Sequence, residues 1–225
     1  GLGLRARTER VGPESALVDD FLGDISIADS ENHRVFILKE PQIGNAFPDI
    51  VVVVYDARVM DSWPSIRKEI MTEDLKLMQL IYTNRGASND ELKFFLGKTP
   101  VKALGRLLAS SMIEQKNGKW ITCDLSRIFA LHSVLAFEAK MAPTSKVIEQ
   151  ALANKWFATD SSILIPMVGR HSRIAETAKR HDLGVYTRQT GKKTSIRPKK
   201  HNKPLSYASW MINEWAWRMA ALQDV

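Results

Sequence analysis

The stretch "AFPDIVVVV", residues 46–54, sets an aspartate directly in front of four valines. Val51 to Val54 are β-branched on both alternating faces, the pattern of a strand covered on both sides. Asp49 therefore stands at the edge of a sheet interior. Pro-Asp is also common punctuation before strands, so a purely local turn role stays open until a second polar strand joins it. Upstream, "HRVFILKE" (33–40) alternates into another strand, and "PQIGNAF" (41–47) reads as the turn between the two. Earlier still, "PESALVDDFLGDI" (13–25) carries Pro13 in a first-turn position, Glu14 beside it, and Leu17, Val18, Phe21, Leu22 and Ile25 at helical spacing. Up to Tyr55 the order is helix, strand, strand.

The bulk of the chain bounds what such a sheet can belong to. With 225 residues, 44% of them hydrophobic, it can bury one good core or a core plus a small satellite. No apolar run approaches bilayer length, and "GLGLRARTERVGPE" has basic residues without a hydrophobic signal core after them. The expectation is a cytoplasmic protein with no membrane partner. A lone cysteine, Cys123, excludes an intrachain disulfide and a cysteine-based zinc site. His33, His132, His171, His181 and His201 show no metal-ligand spacing and read as structural or surface residues.

The net charge of +7 favours a polyanionic partner, and its distribution is more telling than its size. Between Lys179 and Lys203 nine basic residues face the single acid Asp182, a net +8 that exceeds the charge of the whole chain. The core of this segment, "RQTGKKTSIRPKKHNKP", has glycine, prolines and little apolar content, so it is a loop or hairpin. Lys192, Lys193, Lys199 and Lys200 are its candidate phosphate contacts, with a merely solvated loop as the alternative.

From Thr72 to Cys123 the character changes. "TEDLKLMQLIYTN" and "SNDELKFFLG" read as short helices with Thr72 and Ser88 as N-caps. "TPVKALGRLLASSMI" follows as a third helix over 99–113, with Thr99 as cap, Pro100 in the first helical position and an apolar stripe of Val101, Leu104 and Leu108. Next, "IEQKNGKWIT" sets Asn117-Gly118 between two strand-like arms, a strong hairpin signal. Three helices and a hairpin resemble a winged helix-turn-helix domain. The resemblance implies that the third helix enters a DNA major groove with Lys102, Arg106, Lys116 and Lys119 near the backbone, or that the domain binds protein instead.

After this segment comes "LHSVLAFEAK" (131–140), in which alternation sends Val134, Ala136, Glu138 and Lys140 to one face. Glu138 and Lys140 then lie about 7 Å apart at a strand end. A carboxylate and an ammonium there, beside a second strand that begins with Asp49, can hold a divalent metal and act on a water.

On these residues the chain resembles the PD-(D/E)XK nuclease superfamily, with Pro48-Asp49 at the valine strand and Glu138-Ala139-Lys140 at the next core strand. The order helix, strand, strand, strand, helix, strand fits, and "KVIEQALANKWFATDSSILIPM" (146–167) supplies the last helix and strand. The resemblance implies an α/β, three-layer restriction-endonuclease-like core over 1–71 plus 124–225, interrupted by an inserted winged helix over 72–123. It implies a metal-dependent endodeoxyribonuclease in which Asp49 and Glu138 hold Mg²⁺, or Mn²⁺ as substitute. Lys140 orients or deprotonates the attacking water, Glu14 stands where a helix glutamate is often found, and Gln150 lies near the scissile phosphate. The partner is DNA, and a second copy or a partner protein of a larger DNA-processing or defence system stays open. One departure is large: Asp49 and Glu138 are 89 positions apart, where the family uses a short turn, and Asp56 is a rival ligand. The alternative function is a non-catalytic DNA-binding or assembly protein on an inactive nuclease-like scaffold.

Overall fold

The computed structural model describes residues 2–8, 12–24, 33–142, 144–166, 172–187 and 204–223. The basic segment 188–203, with Lys192, Lys193, Lys199 and Lys200, lies outside the described residues, as do Ile25, His171 and His201. The chain is mixed α/β and divides into two compact units. One comprises Leu4–Tyr55 and His132–Asn202, the other Gly1–Gly3, Asp56–Leu131 and Lys203–Val225.

The first unit is built on a five-stranded sheet. Its strands are β1 (His33–Lys39), β2 (Ile50–Asp56), β5 (Leu131–Ala139), β6 (Asp160–Ile165) and β7 (Gly184–Thr187), adjacent in that order. The Glu40 N–H donates to the Asp49 carbonyl at 3.0 Å, so the end of β1 meets the start of β2 and the two run antiparallel. At the far end of β2 the Asp56 N–H donates to the Ala130 carbonyl at 2.9 Å, which makes β2 and β5 antiparallel as well. From β5 onward the strands are parallel, with Ala139 opposite Leu164 and Ile163 opposite Val185. Parallel neighbours need a crossover, and helix α7 (Ser145–Asn154) makes the one from β5 to β6.

Each face of this sheet buries one helical layer. Helix α1 (Pro13–Asp24) sets Leu17 and Val18 against Ile50, Val52, Phe137, Ala139 and Leu164. On the other face Val147, Ile148 and Ala151 of α7, with Ala178 of α8 (Ser172–Arg180), cover Ile163, Ile165 and Val185. The valine run is buried on both faces as its composition requires: Val51, Val52 and Val53 are all fully enclosed.

In the second unit, α2 (Ala57–Met60) and a 3-10 turn (Ser65–Glu69) precede three helices, α3 (Thr72–Thr83), α4 (Asn89–Leu96) and α5 (Val101–Ala109). A hairpin of β3 (Ile113–Lys116) and β4 (Lys119–Thr122) follows, and then α6 (Leu125–Ile128). Asn117 and Gly118 both take positive φ, 50° and 74°, as a two-residue hairpin loop demands. Ser88 caps α4 and exchanges hydrogen bonds with Glu91, the reciprocal box its spacing predicts.

Several boundaries differ from expectation. Met71 rather than Thr72 is the N-cap of α3. Pro100, with ψ 59°, is not yet helical, so α5 starts at Val101. It stops at Ala109 and not at 113, because Ser111 turns to positive φ and Met112 already pairs with Cys123. The buried stripe of α5 is Leu104 and Leu107, whereas Val101 and Leu108 are exposed. The compact unit also runs wider than 72–123, since the C-terminal helix α9 (Tyr207–Gln223) packs on α3 within it. That helix is buried all round from Ala208 to Trp217, and its tryptophans Trp210, Trp215 and Trp217 are core residues. Arg67 is fully buried and forks onto Glu214 of α9, with Nη2 to Oε1 at 2.7 Å and Nε to Oε2 at 2.9 Å. No helix among the described residues is long and apolar enough to cross a membrane.

Candidate active site

Asp49 enters the sheet one residue before β2, and antiparallel pairing brings it to the end of β5. Its Oδ2 accepts the backbone N–H of Ala139 at 2.7 Å, so the carboxylate caps the β5 edge and is held in one orientation. The preceding residue, Glu138, is 3% exposed. Its Oε1 accepts a hydrogen bond from Asn154 Nδ2 of α7 at 2.8 Å, and its Oε2 is buried with no protein partner. Lys140 lies one residue past the strand, outside the alternation expected of it. Its Nζ donates to Glu14 Oε2 of α1 at 2.9 Å, so Glu138 and Lys140 are anchored by helices of opposite layers. Gln150 is half-buried on α7, and its Oε1 too is buried without a partner.

These groups perturb one another. Burial first, then the charge of Asp49, pushes the Glu138 carboxyl up to about 7 against the pull of Asn154 and Lys140. Asp49 is raised as well, mainly by burial, although the Ala139 N–H and Lys140 oppose this. Burial pushes the Lys140 ammonium down, but its bond to Glu14 and the charges of Asp49, Glu14 and Glu138 outweigh that, so its pKa ends above the ordinary lysine value. Two carboxylates short of positive charge stand beside an ammonium that keeps its proton.

A cleft of about 760 Å³ is lined by Glu14, Asp49, Lys140 and Gln150 and also by Arg7 and Thr8; Glu138 is buried behind Ala139 and does not line it. The segment carrying Arg7 is docked by strand-like hydrogen bonds, Arg7 N–H to the Glu40 carbonyl at 3.1 Å and Gln42 N–H to the Arg5 carbonyl at 2.7 Å. The Arg7 guanidinium lies over the Phe47 ring, 3.6 Å from its centroid.

Asp49, Glu138, Lys140, Glu14 and Gln150 thus converge on one sheet end. Asp56 does not: it sits at the opposite end of β2, caps α2 through the Arg58 N–H, and pairs with the Arg58 guanidinium at 2.9 Å. Among the four candidate phosphate contacts of the helix and hairpin unit, Lys102 and Lys116 are exposed, and Lys119 faces Glu91 at 3.6 Å. Arg106 is committed elsewhere, forking onto the fully buried Asp74 with both contacts at 2.7 Å.

Asn154 and Arg7 escaped sequence reasoning. Asn154 had a signal, because Gln150 and Asn154 at i,i+4 put two amides on a helix whose other inward residues are apolar. Arg7 had none, since nothing local to "GLGLRARTER" announces pairing with residues 40–42.

No protein-family model, curated protein or solved structure matches this chain.

A divalent cation fits this site. Among the described residues there is no group of three or more histidine, cysteine, aspartate or glutamate side chains that would cage a metal. Mg²⁺, however, keeps several waters and is usually held by one or two carboxylates. Glu138 Oε2 and Gln150 Oε1 are orphaned buried acceptors, and such atoms call for a cation or a donor that the protein does not supply.

Proposed function

We propose that the protein is a metal-dependent endodeoxyribonuclease with a restriction-endonuclease-like core and a nested winged helix. The observation that carries this reading is the unpartnered, buried Glu138 Oε2 beside Asp49 and Lys140 at one sheet end. The topology supports it: α1, β1, β2, β5, α7 and β6 follow the expected order, with antiparallel strands up to β5 and a parallel crossover after it. The 89-residue gap between the motif strands is taken up by the second unit, which leaves the sheet at Asp56 and returns at Leu131.

Asp49 and Glu138 would hold Mg²⁺ through their remaining oxygens. When bound, the ion would supply Lewis acidity toward a phosphoryl oxygen and a water of lowered pKa. The chain's own groups do the rest. The Ala139 N–H and Asn154 fix the two carboxylates before substrate arrives, so little reorganisation is needed at reaction. Lys140, kept protonated by its carboxylate neighbours, acts as a cation that orients the attacking water and offsets charge growing on the phosphate. It is poorly placed to remove a proton. Glu14 aims Lys140.

A nicking assay on supercoiled DNA with Mg²⁺ or Mn²⁺ tests the reading. Asp49→Ala, Glu138→Ala and Lys140→Ala should each lower cleavage by at least about a hundredfold, as loss of a transition-state electrostatic contact does. Asp56→Ala should leave the rate unchanged. Cleavage that survives all three site variants would remove the assignment.

A further inference from the structure

Three cations and three acids line the cleft, Arg7, Lys39 and Lys140 against Glu14, Glu40 and Asp49. Two of the cations have carboxylate partners. Lys140 donates to Glu14 at 2.9 Å and Lys39 to Asp19 at 2.7 Å. Arg7 makes no ion pair among the described residues, although Glu40 and Asp49 line the same cleft. Its guanidinium is set over the half-buried Phe47 ring instead. A guanidinium held through its face keeps its in-plane N–H donors for a second partner, and that fork matches the oxygens of a phosphate.

The placement of Arg7 is fixed by backbone. Ala6 stands opposite Pro41 in an antiparallel bridge, with the Arg7 N–H bonded to Glu40 on one side of it and the Arg5 carbonyl to Gln42 on the other. A residue so tied keeps its position when its side chain is changed, and a ligand that takes the guanidinium has little chain left to order. The position is apart from the reacting groups, since Glu138 feels the charges of Asp49 and Lys140 and not that of Arg7. The charged residues that line the bare cleft balance, and a bound Mg²⁺ would leave it with the net positive charge that a phosphodiester backbone requires.

We propose that Arg7, stacked on Phe47, binds the phosphate of the DNA strand adjoining the one that is cleaved, and so positions the substrate against Asp49 and Lys140. The inference rests on the nuclease reading.

The test uses the full chain, a fluorescein-labelled DNA duplex and Ca²⁺ in place of Mg²⁺, so that anisotropy reads binding apart from cleavage. Arg7→Ala should weaken binding about tenfold, as loss of a charged hydrogen bond does, with unchanged thermal unfolding. It should also flatten the dependence of log K on log salt by about 0.9, the share of one phosphate. Arg7→Lys should keep the slope and recover only part of the affinity, because it restores the charge without the fork. Lys39→Ala should leave the slope as it is. In the nicking assay with Mg²⁺, Arg7→Ala should raise KM with kcat nearly unchanged, the mark of a contact made equally in ground and transition states. An unchanged slope and affinity in Arg7→Ala, an equal flattening by Lys39→Ala, or a kcat lowered as far as in Lys140→Ala overturns the proposal and leaves the nuclease reading standing. A parent that fails to nick DNA removes that reading and the proposal with it.

Discussion

Glu138 is a residue whose burial works against the fold that contains it. Its carboxyl is pushed from the ordinary 4.5 up to about 7, so the folded protein binds a proton there that the unfolded chain gives up. The stability this confers is fully present below about pH 4.5 and is lost as pH rises through about 7. Glu138→Gln has no such ionisation. In urea titrations with a chelator present, the variant should gain on the parent between pH 5 and pH 8, by on the order of 2 kcal/mol. A difference independent of pH would show that Glu138 does not titrate in this range. Asn154 acts through Glu138, and Asn154→Ala leaves Oε1 as unpartnered as Oε2 already is. Calorimetric titration of that variant with Mn²⁺ should give roughly tenfold weaker affinity, the usual effect of removing a group that orients a ligand.

At the scale of elements, the Arg106–Asp74 fork shows why a basic residue on α5 misleads. Sequence spacing offers Arg106 to a phosphate, but its partner lies 32 positions away on α3, beyond any local periodicity. Arg106→Ala should therefore destabilise the protein by about 2–3 kcal/mol in urea unfolding, since Asp74, fully buried in the intact chain, loses its counter-charge. Lys102→Ala should be within about 0.5 kcal/mol of the parent. The parts that were legible are those that local chemistry dictates: the valine run as a doubly covered strand, Asn117-Gly118 as a hairpin, Ser88 as a cap, and Asp49 and Glu138 as charges at strand ends. What was illegible depends on tertiary partners. Burial of α9 on every side follows from its packing against α3 and from Arg67, and Leu107 rather than Leu108 turns inward because α5 packs on α3 and on the 3-10 turn of Ser65–Glu69.

At the scale of the whole molecule, the two units share one chain that passes between them repeatedly, at 3/4, 55/56, 131/132 and 202/203. We therefore expect that the segment 72–123 cannot be removed by itself. Its deletion would strip Trp210 of Gln79, which accepts its indole N–H at 2.9 Å, and of the Tyr82 ring. A variant with a short glycine linker in place of 72–123 should run as aggregate on size exclusion, and removing 204–223 as well should reduce that aggregation. A monodisperse product from the first deletion alone would show that α9 does not depend on α3.

The buried fork between Arg67 and Glu214 joins residues 147 positions apart, and this sets a schedule for synthesis. While the ribosome is still making the sheet of the other unit, Arg67 has no counter-charge and its surroundings cannot close without enclosing a bare cation, at a cost of several kcal/mol. The unit that begins at Asp56 is therefore expected to close only once the helix carrying Glu214 has been made, and a chain truncated before Glu214 should lack the protease resistance of the full chain.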